Sequence, residues 1–310
     1  SAEDLQIDSE AVLKTLEAQH GLLVERAKGI YSFSHLTFQE YFTTREIIAS
    51  SDPKALESRL QKLAQKVIQP RWREIFLLSM GMLRNAEYLL QLMKQQIDRL
   101  LASEPQVQNF LRWVDGKSRS VNVPYPLVEV RAFYFDLDLF RMLDQGGSLD
   151  LARSLDQNFT RELESQLALD LALDRVLSFN RVIETSTNSY LARTIHRVLS
   201  RAIARTRLAQ PKLETALQQL KDCLPKLTLD APEFERWWGA NGKAWIEQLR
   251  AVMIQQRNLG HIWQFGEQQK AALKQYYEAN QLLVDCLNSD CYVSSGFRQK
   301  IQSTMLLPCT

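Results

Sequence analysis

The sequence predicts an all-α fold, a multi-helix bundle or array carrying one short β-hairpin near its N-terminus. Three observations predict it. Apolar residues recur at intervals of three and four along most of the chain, as at Val12, Leu13 and Leu16. The 11 glycines and 9 prolines among 310 residues are scattered between these periodic segments, where they punctuate helices. Strand character is confined to residues 22–26 and 30–34; in the latter Tyr31 and Phe33 face one way, Ser32 and Ser34 the other.

In chain order, residues 9–19 read as a helix that Ser9 can N-cap and His20-Gly21 can close, because glycine accepts the left-handed conformation at a helix end. Ala27-Lys-Gly29 is a three-residue connection between the two strands. At His35 the period changes from two to 3.6. Leu36, Phe38, Tyr41, Phe42 and Ile47 then recur at helical spacing, so a strand turns directly into an amphipathic helix with a histidine at the junction. Helix, hairpin, helix is the ending of a winged-helix domain. Its first half is absent, so the expectation is a truncated winged helix over 1–50, belonging to a longer protein, followed by a helical domain over 51–310.

Ser51-Asp52-Pro53 opens a helix to about residue 67, with proline tolerated in the first turn. Residues 71–83 are apolar around most of the circumference and predict a central, largely buried helix. Asn85 is positioned to cap a helix over 86–101. Another is expected over 105–114, ended by the turn Asp115-Gly-Lys-Ser118, with a loop and an internal boundary near 118–126. Length favours helix for 127–143 despite its aromatic and β-branched content, and Gln145-Gly-Gly-Ser148 breaks it. Further helices are expected at 159–178, 188–208, 211–222, 232–238, 243–258 and 266–287, with Gly239-Ala-Asn-Gly242 separating the fourth and fifth of these.

Composition excludes several classes of function. A formal net charge of +2 gives no global case for nucleic acid or an anionic membrane. No apolar run approaches the roughly 20 residues that span a bilayer, and the first residues lack the parts of a signal peptide. Cys223, Cys286, Cys291 and Cys309 match no zinc spacing and are too few for a disulfide framework, which leaves reduced thiols of a cytoplasmic protein. There is no Gly-x4-Gly-Lys-Ser/Thr loop, no Gly-x-Gly-x-x-Gly, no nucleophile elbow and no His-Glu-x-x-His helix. An enzyme acting on its own is not expected, and no metal site is expected.

Two features carry chemistry. His35, at a helix N-terminus, either closes a local hydrogen bond or donates to an anion alongside exposed backbone N–H groups. Arg193, Arg197, Arg201 and Arg205 stand four apart and so form one row on a helix face, with no Asp or Glu between Glu184 and Glu214. Pairing across a helix contact with Glu162, Glu164, Asp170 and Asp174, or a solvated face, is the structural reading of that row. Phosphate binding is the alternative, in a nucleic-acid-binding module formed by the winged-helix element and the arginine ridge. Aromatic residues are sparse between the arginines, which argues against single-strand stacking. Trp237 and Trp238, about 100° apart on an ideal helix, cannot both face one core.

Phe33-Ser-His-Leu-Thr-Phe-Gln-Glu-Tyr-Phe42 resembles the Phe-x-His-x-x-Phe-Gln-Glu-Tyr/Phe motif that ends the winged-helix region of NACHT-type signalling NTPases, the class that includes NOD-like receptors. Arg71-Trp-Arg-Glu-Ile-Phe-Leu-Leu78, the segment 81–93 and the tail from Asn280 through Pro308 resemble the helical C-terminal region of bacterial, especially cyanobacterial, members. In that class the motif histidine contacts a phosphate of bound ADP and helps hold the closed, inactive state, a role the resemblance assigns to His35. It further implies a non-catalytic regulatory or sensor portion of a cytoplasmic signalling or defence NTPase. ATP and ADP would be bound by an intramolecular NACHT module that precedes this region, homo-oligomerisation would accompany activation by a trigger the resemblance does not name, and no membrane is involved.

Overall fold

A computed structural model describes residues 9–50, 52–143, 149–159, 163–182, 189–206, 210–225 and 231–309. The fold is mostly α. Its described residues include fourteen α-helices and a single two-stranded antiparallel hairpin near the N-terminus. They fall into two compact units. One holds the described residues up to Asp98 together with Glu278–Ile301; the other holds Arg99–Tyr277 and Gln302–Thr310.

In the first unit, α1 (Ser9–Thr15) runs into a π-helical turn, Leu16–His20, that Gly21 closes at φ 58° by donating its N–H to the Glu17 carbonyl at 3.2 Å. Strands β1 (Leu23–Ala27) and β2 (Ile30–Phe33) pair with Leu23 opposite Phe33 and Glu25 opposite Tyr31. The register slips between Glu25 and Ala27. That irregularity absorbs a residue, so the turn is Lys28-Gly29 rather than the three-residue connection expected. Gly29 takes φ 76°, which favours glycine, and donates its N–H to the Glu25 carboxylate at 2.7 Å.

Helix α2 (Leu36–Ile48) starts at His35, whose backbone is still extended. Asp52 caps α3 (Pro53–Ala64) by accepting from the Lys54 N–H at 3.1 Å. A 3-10 turn, Pro70–Trp72, leads into α4 (Arg73–Met82), against which α2 packs. The Asn85 side chain accepts from the Glu87 N–H at 2.7 Å at the start of α5 (Glu87–Arg99).

The second unit is built from α6 (Pro105–Ser120), α7 (Leu127–Met142), α8 (Asp150–Leu155), α9 (Ser165–Val182), α10 (Ser189–Thr206), α11 (Pro211–Asp222) and α12 (Ala231–Arg257). α6 and α8 pack on α7, while α9, α10, α11 and α12 pack on one another. Three described helices carry residues of both units: α5, through its last residue Arg99, α13 (Glu267–Asn288) and α14 (Ser295–Thr304).

Several expectations change. α6 does not stop at Val114 but continues through Asp115-Gly-Lys-Ser118 to Ser120. Glycine in a helix costs about 1 kcal/mol relative to alanine, yet Lys117 and Ser118 are both buried there and Asp115 pairs with Arg119 one turn on. These contacts outweigh the local preference. Likewise α12 runs unbroken through Gly239-Ala-Asn-Gly242. A Cβ on Gly242 would stand 2.6 Å from the Trp238 ring, so this glycine serves close packing and not a break. Trp238 is buried against Trp245, with ring centroids 5.7 Å apart, while Trp237 is only half-buried.

The helix expected over 159–178 is observed as Ser165–Val182, with 160–162 outside the described residues. The break expected at 145–148 also lies outside them. Helices α8 and α14 were not expected. The central buried helix is not α4, whose Leu77 and Leu78 stay half-exposed, but α7, in which every residue from Val128 to Leu139 is buried.

Candidate functional site

Pairing of the hairpin persists one residue past β2, where the Ser34 N–H donates to the Leu22 carbonyl at 2.9 Å. His35 follows with φ −130° and ψ 145° as the N-cap of α2, and its side chain makes no capping bond. The imidazole is exposed, its ring centroid 6.0 Å from that of Phe38. The first turn of α2 has no acidic residue. An imidazole beside an uncapped helix start, where backbone N–H groups concentrate partial positive charge, fits a phosphate oxygen better than it fits a cation.

Along α2 the side chains read unlike those of an ordinary surface helix. Thr44 is its one buried residue, its hydroxyl donating to the Glu40 carbonyl at 2.8 Å. Leu36 is 66% exposed and Phe42 41%. Phe38, Tyr41 and Phe42 join Leu22 and Leu78 around a groove of about 490 Å³, rimmed by Glu40 and Glu74. Phe33 of β2 stacks on Phe42 at 5.8 Å, which ties the hairpin to this apolar face.

The arginine row lies on α10 in the second unit. Ala192, Ile195, Leu199 and Ala202 form the buried face of that helix, and Arg193, Arg197, Arg201 and Arg205 are exposed. His196, between them, places its Nε2 3.0 Å from the Pro225 carbonyl. Among the described residues, the α9 carboxylates form no ion pair with Arg197, Arg201 or Arg205. Glu164 instead caps α9, its carboxylate accepting from the Gln166 N–H at 2.7 Å and the Ser165 hydroxyl at 2.6 Å. Asp170 and Asp174 are turned into the core, and Glu162 lies outside the described residues.

What holds Asp170 and Asp174 is an arrangement that sequence reasoning missed. Asp170 accepts from the Tyr134 hydroxyl at 2.7 Å and the Arg257 Nε at 2.7 Å, and its Oδ2 lies 3.2 Å from the Lys117 Nζ. The Lys117 ammonium also stands 5.0 Å over the Tyr134 ring. One turn along α9, Asp174 pairs with Arg141, which also pairs with Asp138 of its own helix. Three cations and three anions therefore share the interface of α6, α7, α9 and α12. Burial pushes the Lys117 ammonium below its ordinary value, against the pull of Asp170. Burial likewise raises Asp174, against Arg141. Asp136, also buried, accepts from the Ala152 N–H at 3.1 Å at the start of α8, and burial raises its pKa well above the carboxylate range.

This network offers no reactive position. Asp170 and Tyr134 are fully buried, and every partner is committed to holding helices in register. The signal for it in the sequence was the set of charged residues within the largely apolar α7, of which Asp138 and Arg141 enter the network. No group of three or more metal-ligating side chains occurs among the described residues. The four cysteines are free thiols. No helix among the described residues is long and apolar enough to cross a membrane.

Residues 2–47 match the family described as the winged helix-turn-helix domain C-terminal to NACHT, and residues 213–308 match NACHT C-terminal helical domain 2. The two matches support a C-terminal NACHT-associated region. The first match takes in α1, the hairpin, His35 and most of α2; the second begins in α11 and takes in α12, α13 and α14. Neither matched segment is an NTPase catalytic domain, and the arginine row falls between them. No curated protein and no solved structure matches the chain.

Proposed function

We propose that this region is the regulatory and sensing arm of a cytoplasmic NACHT-type signalling NTPase. In it, a winged-helix element ending near residue 50 reports the nucleotide state of the NACHT module to the helical domain that follows. The observation that carries the reading is the His35 imidazole, exposed at the uncapped start of α2 within the segment that matches the NACHT winged helix. With ADP in that module, His35 donates to a phosphate oxygen and the positive end of α2 adds its own attraction. The closed state is then favoured by whatever this contact contributes, and a trigger acting on the helical domain shifts the population toward an open, oligomerising form. No hydrolysis is assigned to the region itself.

His35→Ala in the intact protein tests this. A hydrogen bond to a charged group is worth about 1.5–3 kcal/mol, so ADP release should speed up roughly 10- to 100-fold and basal signalling should rise. The melting temperature of the nucleotide-free protein should not move, because the ring is exposed and makes no capping bond. Unchanged ADP release together with unchanged basal signalling overturns the proposal.

A further inference from the structure

We infer that the exposed arginine row of α10 is a docking surface for the phosphate backbone of duplex DNA. The inference is independent of the role proposed for His35 and concerns the second unit alone. Internal pairing and a solvated face are the alternatives to outward binding, and the positions of the acidic side chains argue against the first of them. Asp170 and Asp174, the best candidates for internal partners, are consumed by Lys117, Arg257 and Arg141 in the core. Glu164 is consumed in capping α9. Among the described residues no carboxylate lies within ion-pair distance of Arg197, Arg201 or Arg205.

The helix itself, Ser189–Thr206, contains no Asp or Glu. Its exposed face is therefore a stripe of like charge with nothing on that helix to neutralise it, and like charges one turn apart destabilise a helix unless a partner supplies the counter-charge. From Arg197 to Arg205 the row is about 12 Å long, at 1.5 Å per residue. That length covers about three to four base-pair steps of duplex phosphates. Arginine suits them, since its planar fork bonds two phosphate oxygens at once. A duplex fits better than a single strand because no aromatic side chain on the exposed stripe offers a base a stacking platform. B-form DNA fits better than duplex RNA because its major groove admits a helix and the A-form groove does not. Because the contacts go to phosphates and not to base edges, binding should depend little on sequence.

The test is anisotropy titration of the purified 310-residue chain against labelled 20-base-pair DNA, RNA of the same sequence, single-stranded DNA and polyglutamate, at several salt concentrations. With three phosphate contacts, DNA affinity should fall about 40-fold between 50 and 200 mM salt, a slope near −0.9 per contact. The triple variant Arg197→Gln/Arg201→Gln/Arg205→Gln should lose most of that slope and at least about tenfold in affinity at low salt. A control, Arg99→Gln/Arg112→Gln, removes two exposed arginines elsewhere and should bind as the parent does. Neither variant should unfold more easily than the parent, and the triple variant should be slightly more stable. Absence of DNA binding at low salt, or binding that the triple variant retains, overturns the inference. So does equal or tighter binding of RNA, single strands or polyglutamate.

Discussion

Helices α2 and α7 invert the usual relation between polarity and burial, in opposite directions. α2 has thirteen residues, buries only Thr44, and leaves Leu36, Tyr41 and Phe42 in contact with water. α7 buries twelve consecutive residues, among them Glu129, Arg131, Asp136 and Asp138. The contrast shows two ways in which a helix can depart from an amphipathic pattern. Charge inside must be compensated within the fold, because an ion without a partner in low dielectric costs several kcal/mol. Apolar surface outside carries no such constraint on the folded unit, and leaves a face whose compensation can come from another surface. Asp138 and Arg131 of α7 meet opposite charges within the chain, whereas Leu36, Tyr41 and Phe42 of α2 stay partly exposed.

The sharpest way to break this contrast is to remove the centre of the buried network. Asp170→Ala leaves Lys117, Arg257 and the Tyr134 hydroxyl without their common acceptor and should cost about 3–5 kcal/mol in urea unfolding. Replacing the set together, Lys117→Met/Asp170→Leu/Arg257→Met, should recover most of that loss, since buried ion pairs contribute little net stability over apolar residues of similar volume. If the single variant unfolds no more easily than the parent, the network does not hold these helices in register.

A smaller effect is expected at Glu129. Burial, with the nearby negative charge of Asp156 adding to it, raises its pKa from the ordinary 4.5 to about 7. Folded chains therefore keep a proton that unfolded chains have lost between those values, and stability falls as pH rises through that window. Glu129→Gln removes the linked proton. It should stabilise the protein by about 1 kcal/mol above pH 7, less than the full shift implies because some solvent screening remains, and by almost nothing near pH 4. A pH-independent change in melting temperature would count against this assignment.

The smallest effect on stability belongs to α2. Leu36→Ser should change unfolding free energy by no more than about 0.5 kcal/mol, while reducing binding of a hydrophobic dye. Losses as large as those at Asp170 would show that this face is part of the folded core.

Much of the architecture was legible without coordinates because it rests on local rules. The change of period at His35, the Asp52-Pro53 helix start and the Gly21 and Gly29 conformations all depend on residues within a few positions of each other. The breaks placed at Gly116 and Gly239–242 failed for the opposite reason. Gly116 stays helical because Lys117 and Ser118 are buried, and Gly242 because the Trp238 ring leaves no room for a side chain. α14 was missed because Ile301 is its only buried residue, too little to announce a helical period. The site divides in the same way. His35 could be singled out from a strand meeting a helix, whereas the fate of the arginine row depended on which way distant carboxylates turned.

What the sequence determined alone was the helical class, the single hairpin, the placement of a histidine at a helix start and the four-residue spacing of the arginines. Each follows from backbone periodicity and from the conformational preferences of glycine, proline and capping residues. Only the tertiary structure decided that α7 is the buried helix, that Asp170 and Asp174 serve the core, and that the apolar side of α2 stays exposed. Those outcomes depend on which side chains, far apart in sequence, compete for the same partner, and in that competition the buried cations of α6, α7 and α12 took the carboxylates of α9.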